Sequence, residues 1–80
     1  MRILDLREEN GWWKFRFGSG DDFERTLVAL KRSVPLMDRR WDERGKWWLV
    51  RKDTYDKALG LIFENWNSCI GAIRAQGKLW

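Results

Sequence analysis

The sequence contains no histidine, one cysteine (Cys69), one proline (Pro35) and one tyrosine (Tyr55). Each scarcity removes a class of chemistry. Without histidine the chain lacks the commonest metal ligand and the usual general base near neutral pH. A single cysteine closes no internal disulfide, and with no histidine beside it there is neither a zinc-ligand set nor a Cys–His nucleophile. Long apolar runs are also missing, and none approaches the roughly 20 residues a membrane span needs. The opening residues carry Asp5, Glu8 and Glu9 in place of a signal-peptide profile. The expectation is a soluble, cytoplasmic protein with no membrane partner, no cofactor and no metal.

The carboxylate pairs Glu8-Glu9, Asp21-Asp22 and Asp42-Glu43 fall at turns or helix starts, where they cap amide hydrogens and suit the helix dipole. No base or nucleophile accompanies them. Gly18-Ser19-Gly20 precedes a helix but lacks the lysine and spacing of a nucleotide-binding loop, although an anion suits such a helix start. No catalytic residue is expected, and the chain reads as a non-enzyme.

Tryptophan and positive charge are what the chain has in excess. Seven of its 80 residues are tryptophan, and Lys plus Arg outnumber Asp plus Glu by 16 to 12. The excess is local: residues 31–52 hold 8 basic and 3 acidic side chains, whereas 1–30 hold 5 and 6, and 53–80 hold 3 and 3. A basic field of this kind attracts polyanions, nucleic acid above all.

Residues 2–8 alternate as a strand, with Leu4 and Leu6 expected inward and Ile3, Asp5 and Arg7 outward. Asn10-Gly11 then predicts a type I′ hairpin turn. In Trp12–Phe17, parity sorts Trp13, Phe15 and Phe17 to a core face and Trp12, Lys14 and Arg16 to the other. Asp21 with Glu24 reads as a capping box for a helix over 22–33, whose stripe is Phe23, Leu27, Leu30 and Val34. Pro35 stops it.

Met37–Trp41 and Lys46–Arg51 read as a second hairpin around Asp42-Glu43-Arg44-Gly45. A four-residue loop pairs Trp41 with Lys46 and Arg39 with Trp48, and a three-residue loop with a bulge pairs Trp41 with Trp47. Met37, Trp41, Trp48 and Val50 then share the core face, and Arg40, Trp47, Leu49 and Arg51 the other. Asp53 caps a second helix with the stripe Tyr55, Leu59, Ile62, Phe63 and Trp66. A break follows near Asn67, then a short helical tail, in which Trp80 is either docked or disordered.

The fold expected is α+β: a single domain over 1–80, with a core over 1–66 and a tail over 67–80. It is a two-layer ββαββα arrangement in which a four-stranded, mainly antiparallel sheet carries two helices on one face. The other face stays open and displays Ile3, Arg7, Trp12, Lys14, Arg16, Arg40, Trp47, Leu49 and Arg51. Trp13, Trp41, Trp48 and Trp66 are assigned to the core. Cations interleaved with aromatic rings suit single-stranded nucleic acid, where phosphates pair with Lys and Arg and unstacked bases lie on rings.

The run Phe23 to Ser33, the Val34-Pro35 step, Arg39-Arg40-Trp41-Asp42 and Trp48-x-Val50 resembles the HARP-type domain that accompanies SNF2-family ATPases in annealing helicases. The similarity spans roughly residues 23–60. It implies a small α/β module contacting branched or partly single-stranded DNA through Arg39, Arg40, Trp41 or their neighbours. The pattern departs at Glu43 and Arg51, where the family usually has proline, and at the inserted Leu36-Met37-Asp38. These residues contain no ATPase motor, so helicase activity does not carry over.

The function expected is a non-enzymatic nucleic-acid-binding module for single-stranded or forked DNA, with RNA as the alternative polyanion. Its binding residues are Trp12, Lys14, Arg16, Arg39, Arg40, Trp47, Arg51 and Lys52. The competing expectation is a homodimerisation or protein-interaction module, in which Trp12, Trp47 and Leu49 meet a second sheet.

Overall fold

A computed structural model describes residues 1–18 and 20–76. Ser19, the end of the C-terminal tail and Trp80 lie outside the described residues. The chain forms strands β1 (Ile3–Glu9) and β2 (Trp12–Phe17), helix α1 (Phe23–Ser33), a 3-10 turn (Leu36–Asp38), strands β3 (Arg39–Asp42) and β4 (Trp47–Arg51), and helices α2 (Asp56–Ile62) and α3 (Trp66–Gln76). The strands make one antiparallel sheet in the order β1-β2-β4-β3. The α+β expectation holds, and the expected helical tail is a third helix, α3.

Asn10 and Gly11 take φ of 52° and 84°, the positive values that a two-residue type I′ hairpin needs, and Glu9 pairs with Trp12 across the turn. β2 is central, flanked by β1 and β4. Its inward residues Trp13 and Phe15 are fully buried with Val50, Leu30, Val34, Leu59, Phe63 and Trp66. Trp66 packs edge-on against Trp13 at 6.1 Å and against Phe15 at 5.3 Å. Full burial of side chains this large contributes about 1.5–3 kcal/mol each, so this cluster sets where the helices sit. The indole N–H of Trp66 has no acceptor among the described residues.

The inner face of α1 is Thr26, Leu30 and Val34, with Phe23 and Leu27 half-buried beside them. Thr26 tolerates burial because its hydroxyl donates to the carbonyl of Asp22 at 2.8 Å. The predicted capping box does not form. Asp22 occupies the cap position without a side-chain bond, and the Phe23 amide donates instead to Gly20 at 3.1 Å.

The first strand is shifted by a β-bulge between Ile3 and Asp5. Ile3 turns inward and is buried, and Leu4 is 71% exposed, the reverse of simple alternation. The bulge inserts one unpaired residue, and every side chain before it changes face. Leu36-Met37-Asp38 forms a 3-10 turn, so Met37 lies in solvent and not on the core face.

The second hairpin also differs from both predicted registers: Trp41 pairs with Trp48, Asp42 with Trp47, and the loop is 43–46. The Asp42 carboxylate accepts from the backbone N–H groups of Arg44 (3.1 Å) and Gly45 (3.3 Å). Lys46 adopts φ 60°. This side-chain turn draws Asp42 into the strand. The slip relative to the four-residue reading is two residues, which leaves each side chain on its expected face.

The second helix begins at Asp56, with Tyr55 at the cap position and Asp53 outside it at φ 71°. The break falls at 63–65, earlier than expected, so Trp66 opens α3. Ile70 belongs to the core cluster, with Cys69 and Ile73 packed against it, and the core extends past Trp66. Asn65, in the break, bonds both backbone groups of Ile3: its oxygen accepts from the N–H at 2.7 Å and its amide donates to the carbonyl at 2.9 Å. One side chain thereby acts on β1 as a further strand would. Among the described residues, no helix is long and apolar enough to cross a membrane.

Replacing Asn65 by Ala strips both partners from Ile3, and a half-buried donor left unsatisfied costs about 1–3 kcal/mol. Urea unfolding of Asn65→Ala is expected to show a lower midpoint with an unchanged slope.

Candidate functional site

Every helix packs on the face carrying Trp13, Phe15 and Val50, and no described element covers the opposite face. Register places Arg7, Trp12, Lys14, Arg16, Arg40, Trp47, Leu49 and Arg51 on that uncovered face. Six of the eight predicted binding residues therefore come together: Trp12, Lys14, Arg16, Arg40, Trp47 and Arg51. Asp5, Glu9 and Asp42 share the face, which keeps a cationic balance.

The two tryptophans are not open platforms. Trp12 and Trp47 are only 7% and 6% exposed although neither belongs to the core cluster. Their cover is cationic. The guanidinium groups of Arg51 and Arg40 lie 4.3 and 4.6 Å from the Trp12 ring centre. Arg16 lies 3.8 Å over Trp47, with Lys14 at 5.2 Å and Arg7 at 5.3 Å. Each such contact contributes about 0.5–2 kcal/mol according to its desolvation. Sequence parity placed the rings on the correct face and missed that long basic side chains one strand away would lie across them.

The arginines are held to different degrees. Arg16 donates to the carbonyl of Gly45 at 2.5 Å, which ties β2 to the hairpin turn. A Cβ on Gly45 would fall 2.8 Å from the Trp47 indole nitrogen and closer still to its neighbouring carbon, so Trp47 reaches its place only beside a glycine. Lys14 pairs with Glu9 at 3.0 Å, and Arg51 lies 3.8 Å from Asp38. Among the described residues no carboxylate pairs with Arg40.

Arg39 and Lys52 leave the predicted site. Arg39 pairs with Val50 on the helix-covered face and donates to the carbonyls of Val34 (2.5 Å) and Lys31 (3.2 Å), closing the end of α1. Lys52 bonds Glu8 at 2.8 Å, which raises its pKa above the ordinary lysine value. It lies 5.6 Å from the Trp13 ring on the core side. Both cations are used in holding elements together.

Trp41 is the converse case. Assigned to the core by pattern, it is 45% exposed and lies on β3, a short strand at the edge of the sheet. Its indole N–H donates to Glu43 at 2.6 Å, and Lys46 bonds the same carboxylate. These two hydrogen bonds, Lys46 first, hold the Glu43 carboxyl below its ordinary pKa. Among the described residues no group of three or more His, Cys, Asp or Glu side chains is placed to hold a metal.

The chain matches no protein-family model, no curated protein and no solved structure.

Asp38 links the face to the helical layer, accepting a hydrogen bond from the Tyr55 hydroxyl while facing Arg51. That bond raises the Tyr55 pKa, with burial and the Asp38 charge acting in the same direction. The phenol is protonated below its unfolded pKa of about 10, so the bond stabilises the fold fully there and is lost as pH rises through the higher folded value. Tyr55→Phe is expected to lower the urea midpoint at pH 7, and the gap to the parent protein is expected to narrow above about pH 10.

Proposed function

We propose that this chain is a non-enzymatic nucleic-acid-binding module that engages single-stranded or forked DNA through its cationic sheet face. The observation that carries the reading is the placement of the Arg16 guanidinium over Trp47 and of the Arg40 and Arg51 guanidinium groups over Trp12, at 3.8, 4.6 and 4.3 Å from the ring centres. Arg40 and Arg51 are exposed while they lie over Trp12, so their guanidinium groups are held near the ring and still reach solvent; Arg16 is half-buried and already donates to Gly45. A guanidinium plane stacks on an unpaired base, and its edge donates to phosphate. Arg40 has the least to give up, having no carboxylate partner among the described residues.

The earlier expectation of bases lying directly on Trp12 and Trp47 is replaced by bases lying on the arginines that cover them. Contacts to phosphate and to π-faces carry little base specificity. RNA offers the same groups, so it belongs among the ligands compared. The HARP-type resemblance supports the same class of partner, and Arg40 lies within its motif.

Burial weighs against the homodimer reading on this face. With Trp12 and Trp47 at 7% and 6% exposure, a second copy would meet little indole surface. A two-fold pairing would also set like charges against one another, which costs several kcal/mol in an interface.

Titration with oligo(dT) is expected to change tryptophan emission, and the logarithm of the binding constant to fall with that of salt concentration. A slope of about −3 corresponds to four or five phosphates neutralised on a single strand. Arg40→Glu combined with Arg51→Glu is expected to abolish binding at about 0.1 M salt, where both charges act within a Debye length of the ligand. Unchanged emission and gel mobility with single-stranded, forked and duplex DNA and with RNA at low salt would overturn the reading. A dimer dissociated by Trp47→Arg, without any nucleic-acid affinity, would support the interaction module instead.

A further inference from the structure

We propose that a groove at the end of the sheet receives one unpaired nucleobase from the strand whose phosphates cross the cationic face, an inference that rests on the nucleic-acid reading above. The groove opens where β2 ends, β4 begins and α1 starts. It encloses about 250 Å³. Pockets for drug-sized ligands run from about 300 to 1,000 Å³, so this space suits a single planar heterocycle.

Its walls are aromatic. Trp41 and Trp48 stand 5.0 Å apart at 48°, and Phe17 and Phe23 5.5 Å apart at 34°. Trp41 is the most exposed of the six described tryptophans, and its ring is fixed by the bond from its N–H to Glu43. An exposed aromatic ring already held in one orientation loses little entropy when a base stacks on it. Trp12 and Trp47, which sequence pattern favoured for that task, have their rings covered by cations.

Charge at the rim selects a nucleotide over an uncharged aromatic ligand. Arg16 and Lys46 both line the groove. Glu43 neutralises Lys46, which leaves Arg16 as the partner for a phosphate. Arg16 belongs to both sites: it lies over Trp47 on the cationic face, donates to Gly45 at the turn, and lines the groove. A strand following the cationic face therefore meets the groove at Arg16, and one base can turn in while its phosphate stays with the guanidinium.

The experiment compares oligo(dT) with an abasic chain of the same length and phosphate count, using the whole chain and its variants. The parent protein is expected to bind oligo(dT) more tightly than the abasic chain. Trp41→Ala is expected to weaken oligo(dT) about tenfold, the low-to-middle part of what one stacked base supplies, and to leave the abasic chain unaffected. Trp41→Phe, which keeps an aromatic face, is expected to retain most of the oligo(dT) affinity, and thermal melting checks that each variant folds. Equal weakening of both ligands by Trp41→Ala would make the residue structural and overturn the groove assignment. So would an unchanged oligo(dT) affinity, with the cationic-face reading still standing. Failure of the parent protein to bind either ligand at low salt would remove both proposals together.

Discussion

The pleat of β2 is the constraint on which the rest of the molecule depends. Its six residues are aromatic or basic, and a strand sends successive side chains to opposite faces. Trp13 and Phe15 thereby become the floor of the core, and Trp12, Lys14 and Arg16 the middle of an uncovered basic surface. Because β2 pairs with both β1 and β4, this division spreads to its neighbours through register. Val50 and Trp48 join the core side, and Leu49 and Arg51 the other. The helices follow the aromatic side, where Trp66, Phe63, Leu59 and Leu30 close over Trp13 and Phe15.

The uncovered face is an energetic compromise. Five cations gathered on one side of a small sheet repel one another, and indole rings left bare in water would be costly. Placing the cations over the rings lowers both costs: the guanidinium groups sit against π-density, and the tryptophans lose contact with water. Carboxylates at Glu9 and Asp38 temper part of the remaining charge, at 3.0 Å from Lys14 and 3.8 Å from Arg51. What is left over concentrates on Arg40. The same contacts make a sheet face that no described element covers tolerable in water.

The other end of the chain is held by specific polar bonds rather than by area alone. Asp56 accepts from the Trp13 indole at 2.7 Å and from Arg74 at 3.0 Å, which also bonds Asp53 at 2.6 Å. These bonds raise the Arg74 pKa, the Asp53 bond most. With Asn65 bound to Ile3, they anchor α2 and α3 to opposite ends of the first hairpin. Arg39 ties the end of α1 to β3, and Lys52 ties the end of β4 to Glu8 of β1, which explains why these two cations of the basic segment are absent from the uncovered face.

Alternation, turn chemistry and helical spacing are properties of neighbouring residues, and they sufficed for the α+β class, the Asn10-Gly11 hairpin and the face of nearly every strand residue. Even the misjudged register of the second hairpin did little harm, because a slip of two residues preserves parity. What local pattern could not supply were features set by residues far apart in the chain. The bulge that exchanges Ile3 and Leu4 coincides with bonds from Asn65, 62 positions away. The exposure of Trp41 follows from the lateral place of β3 in the sheet, and the burial of Trp12 and Trp47 from arginines reaching across strands. Which residues a sheet face can display follows from their spacing. How much of each side chain meets water depends on what the fold brings beside it, and here that moved the open aromatic surface from Trp12 and Trp47 to Trp41.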